Sequence, residues 1–256
     1  MHLRSDHAET SIPVLRQLVR DNPLGVLTTA IRSEIAPFIL ASHIPFLLDV
    51  EDEESEEELG VLRGHIARKN PQSKVLIEAA QATHASPTPN VLDEEVLVLF
   101  TTPSQHYVTP KFYTETKPST GKVVPTWNYA AVQAYGRVKI FWDYKSDESI
   151  AFLSKQISDL SEHAETSVMG YTGTAGQQES WKVSDAPERF IELLRTNIIG
   201  IEVKIERLEG KFKMSQEMSV NDRQGVIEGF ANLGTETGHA VSRLVKERSD
   251  LKESRS

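Results

Sequence analysis

One stretch limits the folds open to this chain more than any other: Ala130–Trp142 carries the most regular period-two pattern in the sequence. Val132, Ala134, Gly136, Val138, Ile140 and Trp142 fall on one side, and Gln133, Arg137 and Lys139 on the other, as a long barrel strand requires. Shorter segments of the same chemistry precede it: Gly25–Ala30, Ile35–Leu40, Ile44–Val50, Leu59–Ile66 and the near-continuous apolar run Val96–Thr101. Each is rich in branched or aromatic residues and bounded by polar breaks. Successive short strands predict an antiparallel sheet or barrel, and Ile198–Leu208 adds one more strand with Ile199, Ile201, Val203 and Ile205 on one face.

Helical periodicity occupies the rest. Glu9–Arg20 places Ile12, Leu15, Leu18 and Val19 together and is stopped by Asn22-Pro23. Asn70-Pro71 reads as a cap followed by the first helical residue, leading into Lys74–Ala80. Asp147–His163, Pro187–Arg195 and Ser219–Leu233 follow, the last opened by Ser-x-x-Asp. The Thr-, Ser- and Pro-rich stretch Gln81–Pro89 and the glycines at 170, 173 and 176 mark loops. The expected organisation is a β-rich α+β fold: one domain over residues 1–245, with helical elaboration at its C-terminal end and a frayed charged tail over 246–256.

Composition sets aside several functions. Among 256 residues, 28 Lys+Arg against 37 Asp+Glu give a net charge of -9, which disfavours a broad grip on nucleic acid or an anionic membrane. Cysteine is absent, so no disulfide framework, thiolate metal site or cysteine nucleophile exists, and the expected compartment is the cytoplasm, with the nucleus left open. No uncharged apolar run is long enough to span a bilayer. His2, His7, His43, His65, His84, His106, His163 and His239 are scattered without metal-ligand spacing, so no metal is expected. The run Glu51–Glu58, seven acids and a serine, reads as a solvated hairpin loop. Walker, dinucleotide, zincin and nucleophile-elbow motifs are missing.

Three constellations remain. Leu62–Pro71 is a strand running into a helix start with Arg68 and Lys69 at the junction, where amides and cations together could hold a phosphate. Ordinary surface residues at a turn would read the same way, and His65 alone reads more simply as a hydrogen-bonded core residue. Lys122–Tyr129 crowds Trp127, Asn128 and Tyr129 at the entry to the long strand, suited to a planar ring system, a barrel-end plug or a dimer contact. Tyr107, Lys111, Phe112 and Tyr113 could belong to the same wall, in a region stiffened by Pro103, Pro110 and Pro118. Leu208–Gln216, taken alone, is a turn with two exposed lysines.

In this order the constellations resemble the PaiB-type family of transcriptional-regulator-like proteins, within the FMN-binding split β-barrel superfamily. The similarity runs from Asn22-Pro23-Leu24-Gly25 and His43–Asp49 through Leu62–Pro71, Val123–Tyr129 and Ala134–Arg137 to Glu209–Gln216 and Asp222–Ile227, nearly the whole chain. The resemblance implies a six-stranded antiparallel Greek-key barrel with peripheral helices. It further implies a homodimer with two equivalent small-molecule sites between subunits. Carried onto this sequence, Arg68 and Lys69 bind the FMN phosphate with help from Arg63, His65 and the Asn70 cap. Thr28, Thr29 and His43 line the ring, and Trp127 and Asn128 close the pocket from the partner chain. Two departures stand out. Glu51–Glu58 and Gln81–Asp93 look like insertions and point to a fungal member, and the family's Ser-Gln-Asn-Arg is here Ser215-Gln216-Glu217-Met218.

The leading functional expectation is an FMN-binding protein with oxidoreductase chemistry supplied by the flavin, since no residue stands out as a catalytic acid or base. A PaiB-like regulator without catalysis is the first alternative, with direct DNA binding disfavoured by charge and by the lack of a helix-turn-helix signal. Haem binding, with His43, His65 or His239 as an axial ligand, is the second.

Overall fold

The computed structural model describes residues 1–82 and 89–254. Most of the Gln81–Pro89 stretch, including His84, therefore lies outside the described residues, as do the last two positions. The described residues form nine strands: β1 (Ala8–Glu9), β2 (Leu24–Ala30), β3 (Ile39–Pro45), β4 (Leu47–Asp49), β5 (Val61–Ala67), β6 (Val91–Thr101), β7 (His106–Val108), β8 (Thr126–Phe141) and β9 (Ile198–Lys213). Seven helices accompany them: α1 (Ile12–Asp21), α2 (Pro71–Ala82), α3 (Thr116–Thr120), α4 (Asp147–His163), α5 (Glu188–Thr196), α6 (Val220–Ala231) and α7 (Glu236–Ser254). Six strands are seven residues or longer, the number that the split-barrel resemblance implies, and three short pieces are added to them. The sheet follows the order β3-β2-β6-β8-β9-β5-β4 without closing, and the pairs whose registers are defined are antiparallel. This is the β-rich α+β split-barrel class.

The chain divides into two compact units. One comprises Val19–Leu99 and Ala134–Leu208. Its sheet buries Leu27, Leu62, Val98, Val138, Ile140, Ile201 and Val203. The alternation read from the sequence holds along β8, where Ala134, Gly136, Val138 and Ile140 are buried while Arg137 is exposed. Helix α4 presents Ser149, Leu153 and Gln156 inward, and Phe152 stacks on Phe141 with 3.8 Å between ring centroids. Gly200 makes this contact possible, because a Cβ there would sit 2.4 Å from the Phe152 ring. The acidic run is an exposed turn in which the Glu58 carboxylate accepts from the Glu51 and Asp52 amides.

The other unit comprises Met1–Leu18, Phe100–Gln133 and Glu209–Ser256. Its α6 and α7 pack through Val226, Phe230, Val241 and Val245, while Gly225 and Gly229 admit Phe112 against α6. Three expectations change here. Glu9 belongs to β1, and its carboxylate accepts from the Thr10 and Ser11 amides just ahead of α1, so the first helix begins at Ile12. The turn expected at Leu208–Gln216 is instead the continuation of β9 to Lys213. The tail expected to fray from residue 246 is helical to Ser254, with Arg248 and Ser249 buried. Its inward face continues on Arg248, whose guanidinium lies 3.7 Å from the Phe212 ring centroid; a charged residue with an apolar stem and flat head takes a core position.

Candidate functional site

Directly opposed residues of antiparallel strands share a face. The register sets His43 against Val26, Ala41 against Thr28 and Ile39 against Ala30, while Val26 and Thr28 also face Leu99 and Leu97. Thr28 and His43 thus lie on one face of β3, β2 and β6 together with Leu24, Ile39, Leu97 and Leu99. That face is uncovered: Leu24 is 59% and Ile39 63% exposed, and His43 is exposed between them. The opposite face is closed by α2, and Leu27, Thr29 and Ile44 are buried on it.

Adjacent threonines therefore have different fates. Thr28 is half-buried on the open face, whereas the Thr29 hydroxyl accepts from Gln72 Nε2 at 3.0 Å beneath α2. The same amide also reaches the carbonyls of Leu27 (3.2 Å) and Leu40 (3.3 Å). Thr29 thus holds the hairpin to the helix and does not line the open face. Gln72, which the sequence reading passes over, is the residue that joins β2, β3 and α2.

The β5–α2 junction forms as the Asn-Pro pair dictates. Asn70 Oδ1 accepts from the Gln72 amide at 2.8 Å, and its Nδ2 donates to Ser42 Oγ at 3.1 Å, tying the helix start to the residue before His43. Lys69 is exposed. Arg68 points Nε at the Thr196 carbonyl (3.0 Å) and one terminal nitrogen at the carbonyls of Trp142 (2.6 Å) and Ile198 (3.3 Å), with its head 5.6 Å from the Tyr144 ring centroid. Three of its five N–H groups are so engaged, and the two on Nη1 are left for an anion. Burial pushes the Arg68 pKa down. Replacing Arg68 with Ala is expected to cost about 2 kcal/mol by leaving these carbonyls without a charged donor, read as a lower urea midpoint at unchanged slope.

Arg63 and His65 do not join this cluster. As alternate residues of β5 they share the face covered by α4, while Gly64 faces Ile44 and Phe46 on the other side. Arg63 donates to both carboxylate oxygens of Asp49, to Asp159 (2.9 Å) and to Gln156 (3.1 Å). The hydrogen bond with Asp49 raises its pKa, against the effect of burial. An incoming phosphate would have to displace two carboxylates, so Arg63 does not fit the phosphate role that the resemblance implies. His65 has an enclosed Nδ1 without a partner, and burial pushes its pKa down.

In the other unit, Trp127 is 56% exposed and meets Tyr107 edge to face. Asn128 is fully buried and exchanges hydrogen bonds with the Ser215 hydroxyl at 3.1 and 3.2 Å. Lys213 donates to the Thr126 hydroxyl and to the Trp127 carbonyl, and burial lowers its pKa. Asn128 is therefore a brace behind the aromatic wall, and Trp127 is the surface that the wall offers. The signal for Lys213 and Ser215 was present in the third constellation but was legible only as a turn.

Among the described residues, no cluster of three or more His, Cys, Asp and Glu is arranged to hold a metal ion, and no helix is long and apolar enough to cross a membrane.

Residues 1–207 match a protein-family model described as "Putative FMN-binding domain". The chain is 58% identical over 262 residues to an Aspergillus fumigatus protein, covering 99% of each, and 24% identical over 240 residues to the Bacillus subtilis protein named "Protease synthase and sporulation protein PAI 2", covering 93% of each. A solved structure of the flavocytochrome Anf3 from Azotobacter vinelandii is similar at 10% identity, with a TM-score of 0.46 over 82% of this chain and 72% of that one.

Proposed function

Because the chain belongs to this FMN-binding domain family, we propose that it holds FMN with the flavin ring along the uncovered face of β3, β2 and β6 and the phosphate at the β5–α2 junction. The observation that carries the reading is that open face, which sets Thr28 and His43 between exposed apolar residues and ends beside a capped helix start. An aromatic ring with polar edges suits such a surface. Lys69 and the Nη1 edge of Arg68 would hold the phosphate, with Asn70 fixing the helix start. Thr28 would offer a hydroxyl to the ring edge, and His43 an imidazole. Bound FMN supplies redox chemistry, and the residues named here bind and orient it. A second copy of the chain would cover the same face with isologous symmetry, bringing an exposed Trp127 against the ring.

The absorption spectrum of the purified chain, before and after addition of FMN and again after gel filtration, tests the reading. Retained flavin bands are the expected result. Lys69→Ala should weaken FMN binding about tenfold and leave riboflavin, which lacks the phosphate, unaffected. Failure to retain any flavin would sink the proposal, and a Soret band on haem addition, lost in His43→Ala, would favour haem in its place. A regulatory role without catalysis is the second reading; the Bacillus subtilis relative is named for protease synthase and sporulation. Net charge -9 favours control through a bound small molecule over a direct hold on DNA, and a gel shift at low salt would contradict that.

A further inference from the structure

The unit formed by Val19–Leu99 and Ala134–Leu208 carries a solvent-open cavity of about 320 Å³, at the small end of ligand pockets. One wall is the C-terminal part of α4, where Ser158, Ser161 and Glu162 are spaced three and four residues apart and so share a face. The other wall is the segment 180–184, which brings two more serines together with Trp181, Lys182 and Val183. None of these residues is among those proposed to hold FMN.

The walls are joined without using the lining side chains. The Trp181 amide donates to the Glu165 carboxylate (3.1 Å), which ties the segment to the end of α4, and the Lys182 amide donates to Asp185 (2.8 Å), which closes a single helical turn. Neither carboxylate belongs to the lining. Among the described residues, the hydroxyls of Ser158, Ser161, Ser180 and Ser184 and the carboxylate of Glu162 have no hydrogen-bond or ion-pair partner. The Trp181 indole is 44% exposed and meets no other ring or cation among those residues. Ser158, Glu162, Lys182 and Ser184 are exposed as well, and Ser161 and Ser180 half-buried, so a solute entering the cavity reaches every one of these groups.

The chemistry of the lining selects the solute. A hydroxyl both donates and accepts, and four of them accompany a single aromatic platform. An apolar ligand would strip water from those hydroxyls and return no hydrogen bonds. A phosphate would meet the Glu162 carboxylate, and a small zwitterion would leave the indole and the serines unused. A purine has two apolar faces to cover where the cavity offers one ring. A pyranose matches on every count. Its C–H face lies flat against an indole, and its rim of hydroxyls donates to a carboxylate, accepts from an ammonium and exchanges hydrogen bonds with serines.

We propose that this cavity binds a neutral monosaccharide, its ring stacked on Trp181 and its hydroxyls shared among Glu162, Lys182 and the four serines. Ligand-observed NMR titration of the full chain with D-glucose, D-galactose and N-acetyl-D-glucosamine, set against adenosine, glycine and inorganic phosphate, tests it. Saturable binding of at least one sugar is expected, with the three controls at least about tenfold weaker. Trp181→Ala should weaken that binding about tenfold and leave FMN retention unchanged, whereas Trp181→Phe, which keeps a flat ring, should stay within about threefold of the parent. Should the alanine variant not fold, Glu162→Ala decides the matter: its side chain is exposed, so the melting temperature should hold while sugar binding weakens about tenfold. No saturable binding of any of the sugars, a control that binds as tightly as the best of them, or a Trp181→Ala or Glu162→Ala protein that binds like the parent would each overturn the proposal.

Discussion

Gly136→Ala is expected to destabilise the protein by about 3 kcal/mol or more, the largest effect foreseen for a single methyl group in this chain. Gly136 lies within β8, and a Cβ there would sit 2.0 Å from the carbonyl oxygen of Lys204 on the neighbouring β9, 2.9 Å from its carbonyl carbon and 3.3 Å from the Ile205 Cα. All three atoms are backbone, so no rotamer change relieves the clash. The two strands would have to part and give up ladder hydrogen bonds. For a chain of this size the thermal midpoint should fall by about 10 °C. Gly121→Ala is the control. Gly121 has a φ of +65° at the C-cap of α3 with nothing within 4 Å, so alanine there meets only backbone strain, about 1 kcal/mol. Equal midpoints for the two variants would contradict the clash argument.

Asp222→Ala should cost about 3 kcal/mol at neutral pH. This fully buried carboxylate in the first turn of α6 accepts from the Glu115 amide (2.8 Å), the Thr116 amide (3.2 Å) and the Thr116 hydroxyl, pinning the 115–116 segment to the helix start. Burial by itself pushes its pKa up, but the hydrogen bonds from Thr116 and Glu115 outweigh that and hold it below the usual carboxylate range. With the folded pKa lower than the unfolded one, the stabilisation is fully present above the unfolded value, about 4, and is lost as pH falls through the folded value. Parent and variant should therefore differ most at pH 6–7 and converge below about pH 4 in urea titrations. A gap that stays constant down to pH 2 would place the effect in packing and not in the ionised carboxylate.

How much of this was legible in the sequence depended on how local the cause was. The alternation along β8 and the Asn70-Pro71 helix start are near-neighbour patterns, and the structure follows both. So does α4, over the same residues as its periodicity. The end of the chain was misread because its inward face runs from valines onto Arg248, and a residue that buries by stacking on Phe212 looks in sequence like a solvated one. The candidate site divides the same way. That Arg68 and Lys69 mark a junction is readable from spacing. That Arg63 is occupied by Asp49 and Asp159, and that Thr29 sits under Gln72 while Thr28 does not, depends on strand faces and on residues up to 96 positions away.

The unit containing α6 and α7 is assembled from three separated stretches of chain, the first ending at Leu18 and the last beginning at Glu209. During synthesis the opening stretch leaves the ribosome long before the stretch that must bury its His7 and Glu9 has been translated. The intervening unit, complete by Leu208, can gather its own core first. A nascent chain whose emerged part ends at Leu208 should accordingly protect residues 19–99 and 134–208 from protease while its first eighteen residues and the 100–133 stretch are still cleaved. Full resistance at the N-terminal end would then arrive as one late event, timed by the emergence of Arg248.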